Sequence, residues 1–325
     1  MAKRQMDASV QEQAEKKTSE SWRILERCPL CSSSHLRPYL LTHDRHYGIA
    51  GEYSLVRCGK CFLVFLNPAP TEEALTGLYP KTYYAYQTFF HKPHFLKRLL
   101  KALLFVQIGT LDPKFAAPGQ ILDLGCGSGK FLYTCREKGW RTYGVEINPD
   151  AANLGREAAG LDIFAWDLPA AAFAADSFDY IRSNHSFEHI VNPNETLEEV
   201  RRVLKPDGKL LTGVPNIAGW NSRVFRRYWW YLGVPVHPFS YSVATLSKML
   251  QKHGFVIEKV SYNSDFSGVL GSLQIFLNRH SNRVSTEGRL FNFFPFVVLA
   301  HWTAKLLDRL KQGDAIEIIC RKKAQ

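Results

Sequence analysis

No run of eighteen uninterrupted apolar residues occurs in the 325-residue sequence, so no helix spanning a bilayer is expected. Met1 to Glu20 also lack the apolar stretch that a secretory signal needs: Lys3, Arg4, Lys16 and Lys17 balance Asp7, Glu12, Glu15 and Glu20. The first 22 residues therefore read as a disordered tail or a short exposed helix. With no export signal, the seven cysteines, an odd number, point to reduced thiols and a cytoplasmic compartment instead of disulfides. Wholesale disorder is excluded by an ordinary composition, 46% apolar and 22% charged. Acidic residues are the scarcer sign, 30 against 41 basic, and the net charge of +11 favours anionic partners. Nucleic acid, a phosphorylated small molecule and an acidic membrane surface all satisfy that preference.

Four of the cysteines stand as Cys28-Pro-Leu-Cys31 and Cys58-Gly-Lys-Cys61, with 26 residues between the pairs. Each CxxC forms a tight knuckle that points two thiolates at one ion, and two knuckles complete the closed S4 shell that structural zinc prefers. Alternating stretches such as Tyr53 to Arg57 and Phe62 to Leu66 supply short strands around it. The expected unit is a zinc ribbon over residues 23–68, held by a structural Zn2+ because its own core is too small. His35, His43 and His46 lie between the knuckles and are expected on the surface.

Residues 69–117 read as a helical, tyrosine-rich linker. Thr71 with Glu72 and Glu73 signals a helix start, and four tyrosines follow between Tyr79 and Tyr86. They serve either as packing between modules or as a flap over a ligand cleft. Phe95, Leu96, Leu99, Leu100, Leu103 and Leu104 recur at helical spacing among basic residues, the pattern of a helix that packs on the domain or lies on an anionic membrane.

Beyond position 118 the order changes to alternating strands and helices. Gln120 to Leu124 is a buried-strand pattern that runs into Gly125, Gly127 and Gly129, a loop whose glycines let backbone approach a ligand closely. A dinucleotide loop would place its third glycine at 130, where Lys130 stands. Asp123 sits just before the loop, where it would repel a pyrophosphate and suits a ligand with an ammonium and a sulfonium. S-adenosylmethionine is such a ligand. Arg141 to Glu146 is a second strand ending in an acid able to accept both hydroxyls of a ribose, and Ile163 to Asp167 is a third.

In these segments the chain resembles the class I S-adenosylmethionine-dependent methyltransferases, whose first motif matches Asp123-Leu-Gly-Cys-Gly-Ser-Gly129 closely. The resemblance runs in order over roughly residues 119–261. It implies an α/β Rossmann-like sheet of seven strands, the last antiparallel, within a methyltransferase domain over 118–325 carrying insertions at 215–240 and 262–312. It further implies cofactor binding by Asp123, Gly125, Cys126, Gly127, Gly129, Glu146, Asp167 and Asn184, with Asp167 receiving the adenine amino group. His185, Glu188 and His189 after the fourth strand should border the transferred methyl; a histidine has the pKa of a base and a neighbouring carboxylate can orient it. The pair alternatively caps its loop and positions the cofactor.

A narrower resemblance, to sugar C-methyltransferases of antibiotic pathways, rests on the paired CxxC motifs, the tyrosine-rich bridge and the Glu188-His189 pair. Those enzymes act on nucleotide-linked keto sugars and use the pair in deprotonation; their second Rossmann-like half has no counterpart in these residues. Related ribbon-bearing methyltransferases cluster around bacterial surface-polysaccharide pathways. The resemblance therefore implies a small-molecule acceptor or a lipid- or nucleotide-linked glycosyl acceptor, methylated on oxygen or carbon. The alternative is an RNA methyltransferase gripping phosphates through the ribbon.

Two aromatic insertions complete the sequence. Trp220 to Tyr231 interleaves aromatics with Arg223, Arg226 and Arg227 and is expected to wall the acceptor pocket. Leu290 to Trp302 is apolar but interrupted by Pro295 and His301, and reads as a buried or interfacial helix serving as a lid or as a contact with the inner face of the membrane.

Overall fold

Local signals set the element boundaries in the computed structural model, which describes residues 21–79, 112, 114–165, 167–280 and 289–323. The tail, most of the tyrosine cluster and the basic helix expected at 93–106 lie outside the described residues. In chain order the first strands are β1 (Trp22–Arg23), β2 (Leu36–Thr42), β3 (Tyr53–Cys58), β4 (Val64–Leu66) and β5 (Ala69–Pro70). Helix α1 (Glu72–Leu78) starts where Thr71 caps it by accepting from the Ala74 N–H. Then follow β6 (Gln120–Leu124), α2 (Lys130–Arg136), β7 (Arg141–Glu146), α3 (Pro149–Ala159), β8 (Asp162–Ala165) and β9 (Phe178–Asn184). Asn148 caps α3, Pro149 opens it, and Gly160 closes it in the left-handed region at φ 58°.

The remainder comprises α4 (Pro193–Val203), β10 (Leu204–Pro215), α5 (Trp220–Phe225), β11 (Phe239–Ser240), α6 (Val243–Lys252), β12 (Phe255–Tyr262), α7 (Phe266–Leu277), α8 (Phe294–Arg309) and β13 (Ala315–Lys322). Pro295 divides the apolar run: a short turn over Arg289–Asn292 ends before it, and α8 starts around it. It lies in the first turn of α8, where its missing N–H would have no helical partner, and His301 is buried in the continuous helix.

The large sheet has seven strands in the order β12-β13-β10-β9-β6-β7-β8. β10, β9, β6, β7 and β8 are parallel, and β13 enters antiparallel between β10 and β12. This is the Rossmann-like methyltransferase arrangement. The strand order reverses between β6 and β9, which opens a crevice at their carboxyl ends.

The four-cysteine module does not stand apart from that sheet. Its strands β2, β3 and β4 are extended by β11, which belongs to the insertion after β10. Cys28, Leu30, Cys58 and Cys61 share one buried cluster with Leu197, Tyr241 and Met249 of the catalytic half. Trp229, Leu232 and Val234 pack against Tyr53, Leu55, Val64 and Leu66. Part of the aromatic insertion expected to wall an acceptor pocket therefore packs between the two halves, Trp229 deepest, while Trp220 stays exposed.

Candidate active site

The first strand delivers its acid to the crevice. Asp123 is 3% exposed, and its Oδ1 lies 3.3 Å from Nη1 of Arg182 on the adjacent strand β9. Burial pushes the Asp123 carboxyl up to about 6, with Arg182 pulling it the other way. The Arg182 guanidinium also lies 4.0 Å over the Phe131 ring. Sequence reasoning missed Arg182: it stands inside a strand of mixed polarity, and only pairing of β9 with β6 shows which acid it meets.

Gly125, Gly127 and Gly129 all adopt positive φ, at 69°, 55° and 80°. A Cβ on Gly125 would also collide with the Ser186 side chain, so this turn is closed to other residues on two counts. Glu146, at the end of β7, holds the loop: Oε2 accepts from the Gly127 N–H at 2.8 Å and Oε1 from the Asn148 N–H at 2.9 Å. Burial raises its carboxyl, and those two N–H groups oppose the shift. Cys126 is a protonated thiol, its pKa raised by burial and then by Glu146 and Asp123. Asp167 lies two residues past the end of β8, exposed, and accepts from the Ala170 N–H at 3.0 Å. Asn184 ends β9 with a buried Oδ1 that has no partner among the described residues.

These groups surround one cavity of about 890 Å³. Asp123, Gly125, Cys126, Gly127, Glu146, Asp167 and Asn184 line it, as do His185 and His189; Gly129 lies just outside, at the start of α2. The lining suits S-adenosylmethionine: acids at three strand ends, a glycine cradle that a Cβ would fill, and an orphaned amide oxygen.

The histidines gather at the other side. His185 takes a left-handed backbone at φ 54°, an uncommon conformation for a residue with a Cβ, and its N–H donates to the Gly213 carbonyl at 2.8 Å. Its Nδ1 is 3.7 Å from Oε1 of Glu188, which is 2% exposed and keeps a second, unpartnered oxygen, Oε2. Burial would lower the His185 imidazole, but Glu188 outweighs it and holds the group above its usual range. Conversely, burial would raise the Glu188 carboxyl, and His185 holds it below.

His189 Nδ1 is 2.7 Å from the Val236 carbonyl and 2.8 Å from the Tyr79 hydroxyl. A carbonyl only accepts, so the proton sits on Nδ1 and the lone pair on Nε2. His237 repeats the arrangement, with Nδ1 3.1 Å from the Tyr231 carbonyl and its ring edge-on to His189 at 4.5 Å between centroids. Burial, aided by His189, pushes the His237 imidazole down to about 3. His237 carries no role in the sequence reading, since a lone histidine in an aromatic insertion gives no spacing signal; Tyr79 belongs to the segment expected to pack between modules or to cover a ligand cleft, and it lines the cavity. Glu188, His189 and His237 also present one donor atom each within 4.8 Å of one another, a set that could hold a divalent ion.

The four ribbon cysteines converge independently of this cavity. Cys28 Sγ is 3.4 Å from Cys61 Sγ, and Cys31 Sγ is 3.5 Å from Cys58 Sγ, with all four sulfurs within 4.8 Å. Sulfurs on a tetrahedral zinc at about 2.3 Å stand roughly 3.8 Å apart, so the cluster fits that ion. His46, expected on the surface, is wedged edge-on against Trp230 at 3.8 Å, with its Nε2 buried.

Residues 88–260 match the sequence pattern of the methyltransferase-domain family. The chain belongs to that family. The matched segment carries the glycine loop and the strand-end acids of the cavity. Similar curated proteins include a sterol 4-C-methyltransferase of Caenorhabditis elegans, 33% identical over 97 residues, covering 28% of this chain and 29% of that protein. A demethylmenaquinone methyltransferase of Renibacterium salmoninarum is 30% identical over 104 residues, covering 31% of this methyltransferase and 44% of the relative. The matches thus span less than half the length of these relatives. Among solved structures, phosphoethanolamine N-methyltransferase 2 of Haemonchus contortus aligns at a TM-score of 0.49 and 19% identity, covering 81% of this chain and 63% of that one.

Proposed function

We propose that this methyltransferase acts on a small-molecule or glycoconjugate acceptor, at oxygen or carbon, with His185 as the base and Glu188 as the residue that orients it. One observation carries the reading: His185, backed by the buried Glu188, lines the cavity whose wall also includes Asp123, the glycine loop, Glu146 and Asp167. S-adenosylmethionine, bound on that wall, supplies an electrophilic methyl group on a sulfonium.

The chain's own residues do the rest. Glu146 and Asp167 are placed for the ribose and adenine ends, and Asp123 with Arg182 for the charged amino-acid end. The Glu188 carboxylate lies on the Nδ1 side of His185 at 3.7 Å, which favours the proton on Nδ1 and leaves Nε2 to take the acceptor's proton. Glu188 holds the His185 imidazole above its usual pKa, which makes it the stronger base. His189, whose pKa burial lowers, lines the cavity as a hydrogen-bond partner for the acceptor, with His237 packed against it. The relatives named for a sterol and for demethylmenaquinone support a small acceptor. Cys28, Cys31, Cys58 and Cys61 would hold a structural zinc, with no open position for chemistry.

The test is a screen of zinc-loaded protein with methyl-labelled cofactor against extracted lipid, glycan and RNA fractions. Label in a lipid or glycan fraction is expected, and it should vanish in His185→Gln while calorimetric cofactor affinity stays near wild type. Label in the RNA fraction alone would overturn the acceptor assignment. Full activity in His185→Gln would remove the base.

A further inference from the structure

Helices α7 and α8 are apolar on two sides. Their inner faces, including Leu270, Ile275, Ala304 and Leu307, are buried in the domain. Their outer faces are not. On α8, Leu299, Trp302, Leu306 and Leu310 recur every three or four residues and are 45–65% exposed, a stripe along the solvent side. On α7, which packs against α8, Leu273, Phe276 and Leu277 are exposed at the same spacing. Phe276 meets Phe225 and Tyr228 at 6.4 and 5.6 Å, joining this face to α5, where Trp220 and Val224 are exposed one turn apart.

The charge of the face is one-sided. Within 220–228, 266–280 and 294–311 the only acid is Asp308, and it is buried against Ser264 and Lys305. Arg223, Arg226, Arg227, Arg279, Arg309 and Lys311 are exposed around the apolar residues. Arg279 lies 4.4 Å over the Phe276 ring, so cation and aromatic share one spot.

We propose that the outer face of α5, α7 and α8 docks this enzyme on an anionic lipid bilayer. Aromatic and leucine side chains enter the headgroup and acyl boundary while arginine and lysine stay with the phosphates. A second copy of the chain fits less well, because a two-fold contact would bring six cations against six. A purely apolar protein partner would strip those cations of water without pairing them. No helix among the described residues is long and apolar enough to cross the membrane, so these helices lie on it.

Flotation of the full-length chain with vesicles of equal parts phosphatidylglycerol and phosphatidylcholine, against pure phosphatidylcholine, tests this. Binding to the anionic vesicles is expected, weaker by about tenfold or more on the neutral ones and falling as salt is raised. Leu299→Glu with Leu306→Glu, and separately Arg227→Glu with Arg279→Glu, should each lower partitioning by about tenfold. A melting temperature within the wild-type range shows that each variant is folded; Leu299→Gln with Leu306→Gln replaces the first pair if it is not. No flotation at low salt, unchanged flotation in both folded variants, or a dimer dissolved by the leucine variant would each overturn the proposal. Vesicle binding needs neither cofactor nor acceptor, so its failure leaves the methyl-transfer reading standing.

Discussion

Burial of the His237 imidazole, with its pKa near 3 against 6.5 for the free group, makes a pH prediction with a definite sign. Above pH 6.5 the ring is neutral in folded and unfolded chains alike. As pH falls from 6.5 toward 3, the unfolded chain takes up a proton that the folded one refuses, so stability is lost across that window. His237→Gln should flatten the wild-type fall in melting temperature between pH 6.5 and 4, whatever it does to the melting temperature at pH 8. An unchanged slope would count against a neutral, buried His237. Gly125→Ala meets two obstacles at once, a φ of 69° and the Ser186 side chain. It should weaken cofactor binding by about tenfold or more and cost about 1–3 kcal/mol of stability, read by calorimetry and denaturant unfolding. For Glu188→Gln, methyl transfer should fall by about a hundredfold or more with cofactor affinity little changed. A loss confined to cofactor affinity would make Glu188 a binding residue instead.

Among the elements, the two cysteine knuckles depend most on something other than their own chain. The loops that carry them bury Cys28, Cys58 and Cys61 in the same cluster as Leu197 and Met249, so loss of the ion should be felt in the catalytic half. Cys61→Ser, or chelation of the wild type, should remove bound zinc measured by elemental analysis. It should also lower the melting temperature by about 5 °C or more. Zinc-free protein that melts like wild type would deny the site a structural role. The strand ends were legible because a buried strand and a glycine turn are both local signals. Pro295 was legible as a boundary in the apolar run, and it opens α8; His301 was not one, because it lies buried inside that helix.

At the scale of the whole molecule, the four-cysteine module and the catalytic sheet are joined by β11 on β4 and by Trp229 against Leu55 and Leu66. A fragment of residues 21–70 lacks both contacts. Even with zinc it should give poorly dispersed amide resonances, whereas the full chain is folded; a folded, zinc-bound fragment would refute this interdependence.

The sequence by itself made the cofactor wall legible: the acid before the glycine loop, the loop, and two further acids each stand at or near the end of a strand that local patterning marks. Tertiary structure alone decided their partners. Arg182 reaches Asp123 only because β9 pairs with β6, and His237 meets His189 across nearly fifty residues of chain. The insertion after β10 could as well have walled a pocket as filled a seam, since aromatic residues serve both. Trp229, Leu232 and Val234 fill the seam against β3 and β4, while Tyr231 stacks on His185 and Trp220 stays exposed, a division of packing in three dimensions that no local pattern records.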